Sequence, residues 1–296
     1  MIYLQYFGLR EPPFGITPDA SFFYSCQSSQ EALNTLLVAT VNGEGFIKIT
    51  GEVGTGKTLL CRKFLATLDD TWASAYIPNP SLDPRTLLLA LAEELGAKLD
   101  SGLDQHHLVK ALNLALLDFA RQKKRVVVCL DEAQAMPLES LEALRLLTNL
   151  ETEKRKLVQV ILFGQPELDE RLAHQSIRQL RQRITFQHHM GMLTREETDH
   201  YLAHRLLIAG YAGDRVFAPG AVKAIYRASR GVPRLINILA NKAIMLAYGE
   251  GTRKVLARHA RASASDTPSA FSLSRAWLWL ALACVAFSSL GWAVLR

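Results

Sequence analysis

Gly51, Glu52, Val53, Gly54, Thr55, Gly56, Lys57 and Thr58 follow one another in the spacing G-x-x-x-x-G-K-[ST]. Each residue type has a task in gripping a chain of phosphates. The glycines let several backbone N–H groups converge on oxygen atoms, and the helix expected next adds the positive end of its dipole. Lys57 would neutralise the β- and γ-phosphates, and the Thr58 hydroxyl would ligate Mg²⁺. Leu59 opens the rest of that helix and completes the expected nucleotide-contacting run. A plain glycine turn has no use for the lysine and hydroxyl that follow, so ATP with Mg²⁺ is the expected ligand.

A second element carries carboxylates. Val126, Val127, Val128, Cys129 and Leu130 form an apolar run that ends in Asp131 and Glu132. Asp131 would hold Mg²⁺ through its water shell, and Glu132 would orient or deprotonate an attacking water. Alone, such a pair would also suit a helix cap. Paired with the glycine loop it reads as the second half of a nucleotide-hydrolysing site. The stretch between Lys57 and Asp131 has room for an inserted strand and helices, the arrangement of the P-loop branch that carries a catalytic glutamate.

These residues need strands and helices to hold them. Phe46–Thr50, Ala73–Ile77, Val126–Leu130, Leu157–Phe163 and Ile184–Gln187 are short apolar runs that read as buried strands. Helical spacing is expected over Gln30–Val41, Leu59–Leu68, Pro84–Leu95, Asp104–Gln122, Leu138–Leu150 and Glu167–His174. Strands alternating with helices predict an α/β domain with a mostly parallel sheet. Beyond Met192 the pattern turns all-helical, starting with the capping box Thr194-Arg195-Glu196-Glu197. The domains expected are an irregular arm over 1–29, an α/β domain over 30–192, a helical lid over 193–256 and a flexible linker over 257–275.

Composition bounds the partners. The 296 residues are 49% hydrophobic with a formal net charge of +6. A basic balance allows nucleic acid or anionic lipid, but a surplus of solvated Lys and Arg is the plainer reading. Cys26, Cys61, Cys129 and Cys284 form no CxxC pair, which suits reduced thiols and not a disulfide framework. The N-terminus lacks a basic region followed by a long apolar one, so no secretory signal is expected. His200 and His204 have the i, i+4 spacing of a zinc helix but lack a Glu after the first, and they read as ordinary helix residues.

More specific segments surround the site. The arm reads Tyr6-Phe7-Gly8-Leu9-Arg10-Glu11-Pro12-Pro13-Phe14 and then Thr17-Pro18-Asp19. Beyond the Leu130-Asp131-Glu132-Ala133-Gln134 motif come Phe163-Gly164-Gln165-Pro166-Glu167-Leu168, Leu180-Arg181-Gln182-Arg183-Ile184 and Gly231-Val232-Pro233-Arg234-Leu235-Ile236-Asn237. Together these resemble the AAA+ ATPases of the MSHA-pilus biogenesis (MshM-like) and general secretion pathway A-component (ExeA/GspA-like) group. The resemblance implies an Mg²⁺-dependent ATPase with a helical lid, working as a homo-oligomer. It implies that Gln165 stands at the γ-phosphate sensor, where these proteins more often carry Asn. Arg234 falls at the second sensor in the lid. Arg183, or else Arg181, falls at the arginine finger that reaches a neighbouring copy, and the arm from Gly8 to Phe14 is expected near the adenine.

Residues 276–295 carry no charge and are long enough to span a bilayer. Trp277, Trp279 and Trp292 lie near the ends, and Arg253, Lys254, Arg258, Arg261 and Arg275 precede the run. This predicts one transmembrane helix in the bacterial inner membrane, with the ATPase domain cytoplasmic. The expected partners are pilus or secretion assembly proteins at that membrane. A DNA-handling transposition helper and a non-hydrolysing nucleotide-gated scaffold are the alternatives. The anchor argues against the first and Glu132 against the second.

Overall fold

The structure is a computed structural model that describes residues 2–97, 104–148, 151–152 and 155–270. In chain order it runs α1 (Tyr3–Phe7), α2 (Gln27–Val41), β1 (Phe46–Gly51), α3 (Lys57–Leu65), β2 (Trp72–Ile77), α4 (Pro84–Glu94), α5 (Gln105–Arg121) and β3 (Arg125–Leu130). Next come α6 (Leu138–Leu147), the short hairpin β4 (Glu151–Thr152) and β5 (Arg155–Lys156), β6 (Val158–Gly164), α7 (Glu167–Leu172), α8 (Arg178–Arg181) and β7 (Ile184–Met190). Then α9 (Arg195–Ile208), α10 (Pro219–Ser229), α11 (Pro233–Gly249) and α12 (Ala257–Ser265) follow. Two compact units result, one of residues 18–191 and one that joins the described residues up to 17 with 192–270.

The first unit is the predicted α/β fold. Its sheet has five strands in the order β2-β3-β6-β1-β7, and every pairing is parallel. Alternate side chains of a strand point to opposite faces, so a continuous apolar run can serve two cores at once. Phe46, Val126, Val128, Leu130, Val160 and Leu162 join one core with Leu88, Leu112 and Leu144 from the helices. Ile47, Ile49, Val127, Cys129, Ile161 and Phe163 join the other, with Leu36, Leu60 and Phe64. Local chemistry starts the helices where the sequence marks them. Asp83 caps α4 by accepting from Arg85 and Thr86 N–H groups, with Pro84 at the first helical position.

The second unit is helical. The capping box at Thr194 forms in both directions with Glu197. Gly231 sits at φ +80, and a Cβ there would lie 2.0 Å from the Leu193 carbonyl oxygen. Only glycine fits that close approach. The arm is not irregular throughout: Tyr3–Phe7 is helical, ended by Gly8 in the left-handed region. Residues 1–17 belong to this helical unit. Arg205 Nε donates to the Pro13 carbonyl at 2.5 Å, Asn237 Nδ2 to that of Gly15 at 3.2 Å, and Tyr3 Oη to Asn241 Oδ1 at 2.7 Å.

The stretch expected as a flexible linker differs as well. Ala257–Ser265 is the helix α12, with His259, Ala260 and Ser263 buried. Alanine and arginine favour helix, and small side chains allow helices to approach closely, so a linker-like composition also suits a docked helix. Among the described residues no helix is long and apolar enough to cross a membrane. The apolar run 276–295 lies outside the described residues.

Candidate functional site

The glycine loop lies where β1 hands over to α3, at the carboxyl end of a central strand. Gly54 and Gly56 take φ values of +83 and +101, a left-handed backbone that other residues adopt at a cost. A Cβ built on Gly56 meets nothing within 4 Å, so the loop is open on that side. Thr55 Oγ1 closes the turn by donating to the Glu52 carbonyl at 2.8 Å. Lys57 is only 5% exposed, and its ammonium donates to the carbonyls of Gly51 at 2.7 Å and Glu52 at 3.0 Å. The loop thus holds a buried cation through neutral acceptors. Burial pulls the lysine below its ordinary pKa, while Glu132 and Asp131 oppose the shift. Such a charge gains most from an anion brought within reach.

β6 lies between β1 and β3, with Leu130 of β3 paired to Leu162, so the carboxylates that end β3 reach both Thr58 at the start of α3 and Gln165 at the end of β6. Thr58 Oγ1 donates to Asp131 Oδ2 at 2.5 Å. Asp131 is 2% exposed, and burial pushes its carboxyl above the ordinary range against the Thr58 hydroxyl and the Glu132 N–H. A desolvated carboxylate beside a hydroxyl is a set of hard oxygen donors, and these residues fit a small divalent cation such as Mg²⁺. Tyr76 Oη also approaches Asp131 Oδ2, at 3.5 Å, and burial and that carboxylate push the phenol up to about 12.

Glu132 stands in a different environment. It takes the left-handed conformation at φ +53 and is half-buried. Burial would raise its pKa, but donors from Gln165 and Gln134 together with the Lys57 charge outweigh it and hold the carboxylate below the ordinary range. Gln165 Nε2 donates to Glu132 Oε2 at 3.0 Å. Neighbouring carboxyls are therefore pushed in opposite directions, one desolvated beside a metal-type donor set and the other kept ionised.

The structure thus brings together Gly51–Leu59, Asp131, Glu132 and Gln165. Arg183 is engaged elsewhere: its guanidinium makes long contacts to the Arg145 carbonyl at 3.5 Å and Thr148 Oγ1 at 3.4 Å. Arg181 is exposed at the end of α8. Arg234 is exposed in the first turn of α11, in the helical unit. Among the described residues no group of His, Cys, Asp and Glu side chains has the arrangement of a metal cluster, at His200 and His204 or anywhere else.

Gln134 lies two residues beyond Glu132, and its sequence position alone marks no role for it. Its Nε2 donates to Glu132 Oε2 at 2.5 Å, and its Oε1 accepts from the Gln165 N–H at 3.0 Å. Only the adjacency of β3 and β6 could have revealed this. Lys48 was also missed. This lysine on β1, just ahead of the loop, is paired with Asp169 of α7.

Comparison with known proteins agrees with the geometry. The AAA domain family matches residues 40–172. The chain is 42% identical over 255 residues to the general secretion pathway protein A of Aeromonas hydrophila. That alignment takes in 86% of this chain and 46% of the relative, so the chain spans about half the length of the curated protein it matches. Among solved structures, the fold resembles the ORC2 protein of Aeropyrum pernix in its ADPNP–ADP complexes. The TM-score is 0.63 at 18% identity, covering 87% of this chain and 73% of that one. The Cdc6p structure from Pyrobaculum aerophilum gives a TM-score of 0.65 at 18% identity, covering 84% and 70%. At that identity the structural likeness speaks for the fold alone.

Proposed function

We propose that this chain, which belongs to the AAA+ ATPases related to the general secretion pathway A-component, hydrolyses ATP to drive assembly of an MSHA-type pilus or of type II secretion-related machinery. The observation that carries the ATPase reading is the convergence of Thr58, Asp131 and Glu132 beside a loop holding a buried lysine. Backbone N–H groups of Gly51–Leu59 and the Lys57 ammonium would hold the β- and γ-phosphates. Mg²⁺, held by Thr58 and Asp131, would screen phosphate charge when bound. Glu132 would take a proton from a water as its oxygen bonds the γ-phosphorus. The bond to the bridging oxygen then breaks with its electron pair, leaving ADP and inorganic phosphate. Gln165 would orient the γ-phosphate end. Arg234 would report nucleotide state to the lid, and Arg183 would stabilise charge in a neighbouring copy's site within a homo-oligomer.

The machinery assigned to this ATPase rests on the 42% identity to a protein named for secretion and on the arm, FGQPEL and GVPRLIN segments. The charge-free run 276–295, with its interfacial tryptophans and preceding arginines, supports a single-pass anchor in the bacterial inner membrane with the ATPase in the cytoplasm. Purified protein should release phosphate from ATP with Mg²⁺ and stop on chelation. In cell fractions, the full chain should resist alkaline carbonate and yield only to detergent, whereas a chain ended at residue 270 should be washed off. Turnover unaffected by chelation would contradict the metal assignment, and carbonate release of the full chain would contradict the anchor.

A further inference from the structure

We propose that Gln134 is a positioning residue for hydrolysis: it clamps the Glu132 carboxylate to the end of β6, so that one defined carboxylate oxygen faces the attacking water. The assignment rests on the ATPase reading above and extends it to a residue outside the loop and the carboxylate pair.

The geometry is a closed ring of three side chains and one backbone group. Gln134 Nε2 donates to Glu132 Oε2 at 2.5 Å, and Gln165 Nε2 donates to the same oxygen at 3.0 Å. The Gln165 backbone N–H donates to Gln134 Oε1 at 3.0 Å. A backbone N–H can only donate, so the Gln134 oxygen must face β6 and its NH₂ must face Glu132. The amide orientation is therefore fixed by the network. Both donors converge on Oε2, and among the described residues no hydrogen bond reaches Glu132 Oε1. The ring holds one oxygen and leaves the other for water.

Further observations agree. Glu132 sits at φ +53, a conformation strained for a non-glycine residue, which persists only where surrounding contacts hold it. Gln134 lies in the 3₁₀ turn Ala133–Ala135 that follows directly, so the side chain that clamps Glu132 comes from the same strained corner. At the other end, a Cβ on Gly164 would lie 3.3 Å from Gln134 Oε1 and 2.7 Å from Leu168 Cδ2. The bare glycine lets β6 and α7 approach the amide closely. Catalytic groups displaced by about 1 Å lose on the order of 100-fold in rate, so a clamp at this point acts on the chemical step.

The test compares steady-state ATP turnover of wild type, Gln134→Leu and Gln134→Glu, each also combined with Glu132→Gln. Gln134→Leu is expected to lower kcat about 10- to 100-fold while leaving KM for ATP within about 2-fold. Gln134→Glu keeps an acceptor for the Gln165 N–H but loses the donor to Glu132, and is expected to lose kcat at least as far. In the Glu132→Gln background neither change should slow turnover further, because there is no longer a carboxylate to position. Wild-type kcat in either single variant would overturn the assignment, as would an equal loss in the Glu132→Gln background, which would mark a merely structural role. If Gln134→Leu does not fold, Gln134→Glu decides alone. A wild-type chain that binds ATP without turnover would instead sink the ATPase reading, and the clamp with it.

Discussion

Buried polar groups serve opposite ends in the two units. In the α/β unit the buried charged groups Lys57 and Asp131 stand together at the carboxyl ends of β1 and β3. Lys57 is held by carbonyls of its own loop, and Asp131 is desolvated with Thr58 as its closest donor. In the helical unit the buried polar groups hold chain segments together. Arg205, 6% exposed, reaches the Pro13 carbonyl at 2.5 Å, the Gly15 carbonyl at 3.2 Å and Tyr201 Oη at 3.3 Å, and so ties the arm to α9. Neither burial nor polarity tells a site from a strut. What separates them is what the group is held by. Lys57 and Asp131 are charges drawn together from a loop and a strand end, where a ligand's charge would meet them, whereas Arg205 spends its donors on carbonyls of a distant segment and stabilises the fold.

The sharpest way to break this contrast is to remove one cation from each unit. Lys57→Ala should lower ATP affinity by about 100-fold or more, the value of a charge-assisted contact to phosphate, yet leave the urea midpoint unchanged or slightly raised. Calorimetric ATP titration and denaturant melts check both halves, and a large loss of stability would make Lys57 a strut. Arg205→Met should do the reverse. It leaves several buried acceptors without their donor, costs about 2–4 kcal/mol in denaturant melts, and exposes residues 1–17 to protease. A variant as stable and as protease-resistant as wild type would show that the arm is held by its apolar contacts instead.

The smallest effect concerns α12. Glu250 accepts from Arg258 Nη2 at 2.5 Å and pairs with His259 Nε2 at 3.0 Å. The Arg258 and His259 contacts pull its carboxyl from an ordinary 4.5 to about 2. A carboxyl depressed on folding contributes stability above its unfolded pKa and loses it as pH falls through the folded one. The contribution should therefore be intact above pH 4.5 and fade between 4.5 and about 2. Because the pair is exposed to solvent, the effect should be slight and sensitive to salt. Glu250→Gln should remove that part of the acid dependence, and melts in that range that superimpose on wild type would dismiss the tie.

The same contrast explains what was legible beforehand. The glycine loop and Asp131–Glu132 could be read because their chemistry is written in consecutive residues, and the strands because their short segments are mostly apolar, with Val126–Leu130 of β3 unbroken. The Gln134 ring could not, since it exists only where β6 lies beside β3. The place of the arm was equally hidden, because Arg205 and Pro13 meet from opposite ends of the chain and nothing local marks the pair. α12 was misread because Ala, Ser and Arg suit a docked helix as well as a linker. In each case the information lay in a long-range pairing, which spacing along one stretch does not carry.

The most direct test of the central claim replaces Glu132 alone. Glu132→Gln keeps the shape and burial of the side chain but removes the base, so ATP turnover should fall about 10²- to 10⁴-fold while ATP and Mg²⁺ still bind with near wild-type affinity. Phosphate release at the wild-type rate in that variant would show that Glu132 is not the base and would contradict the account of this site.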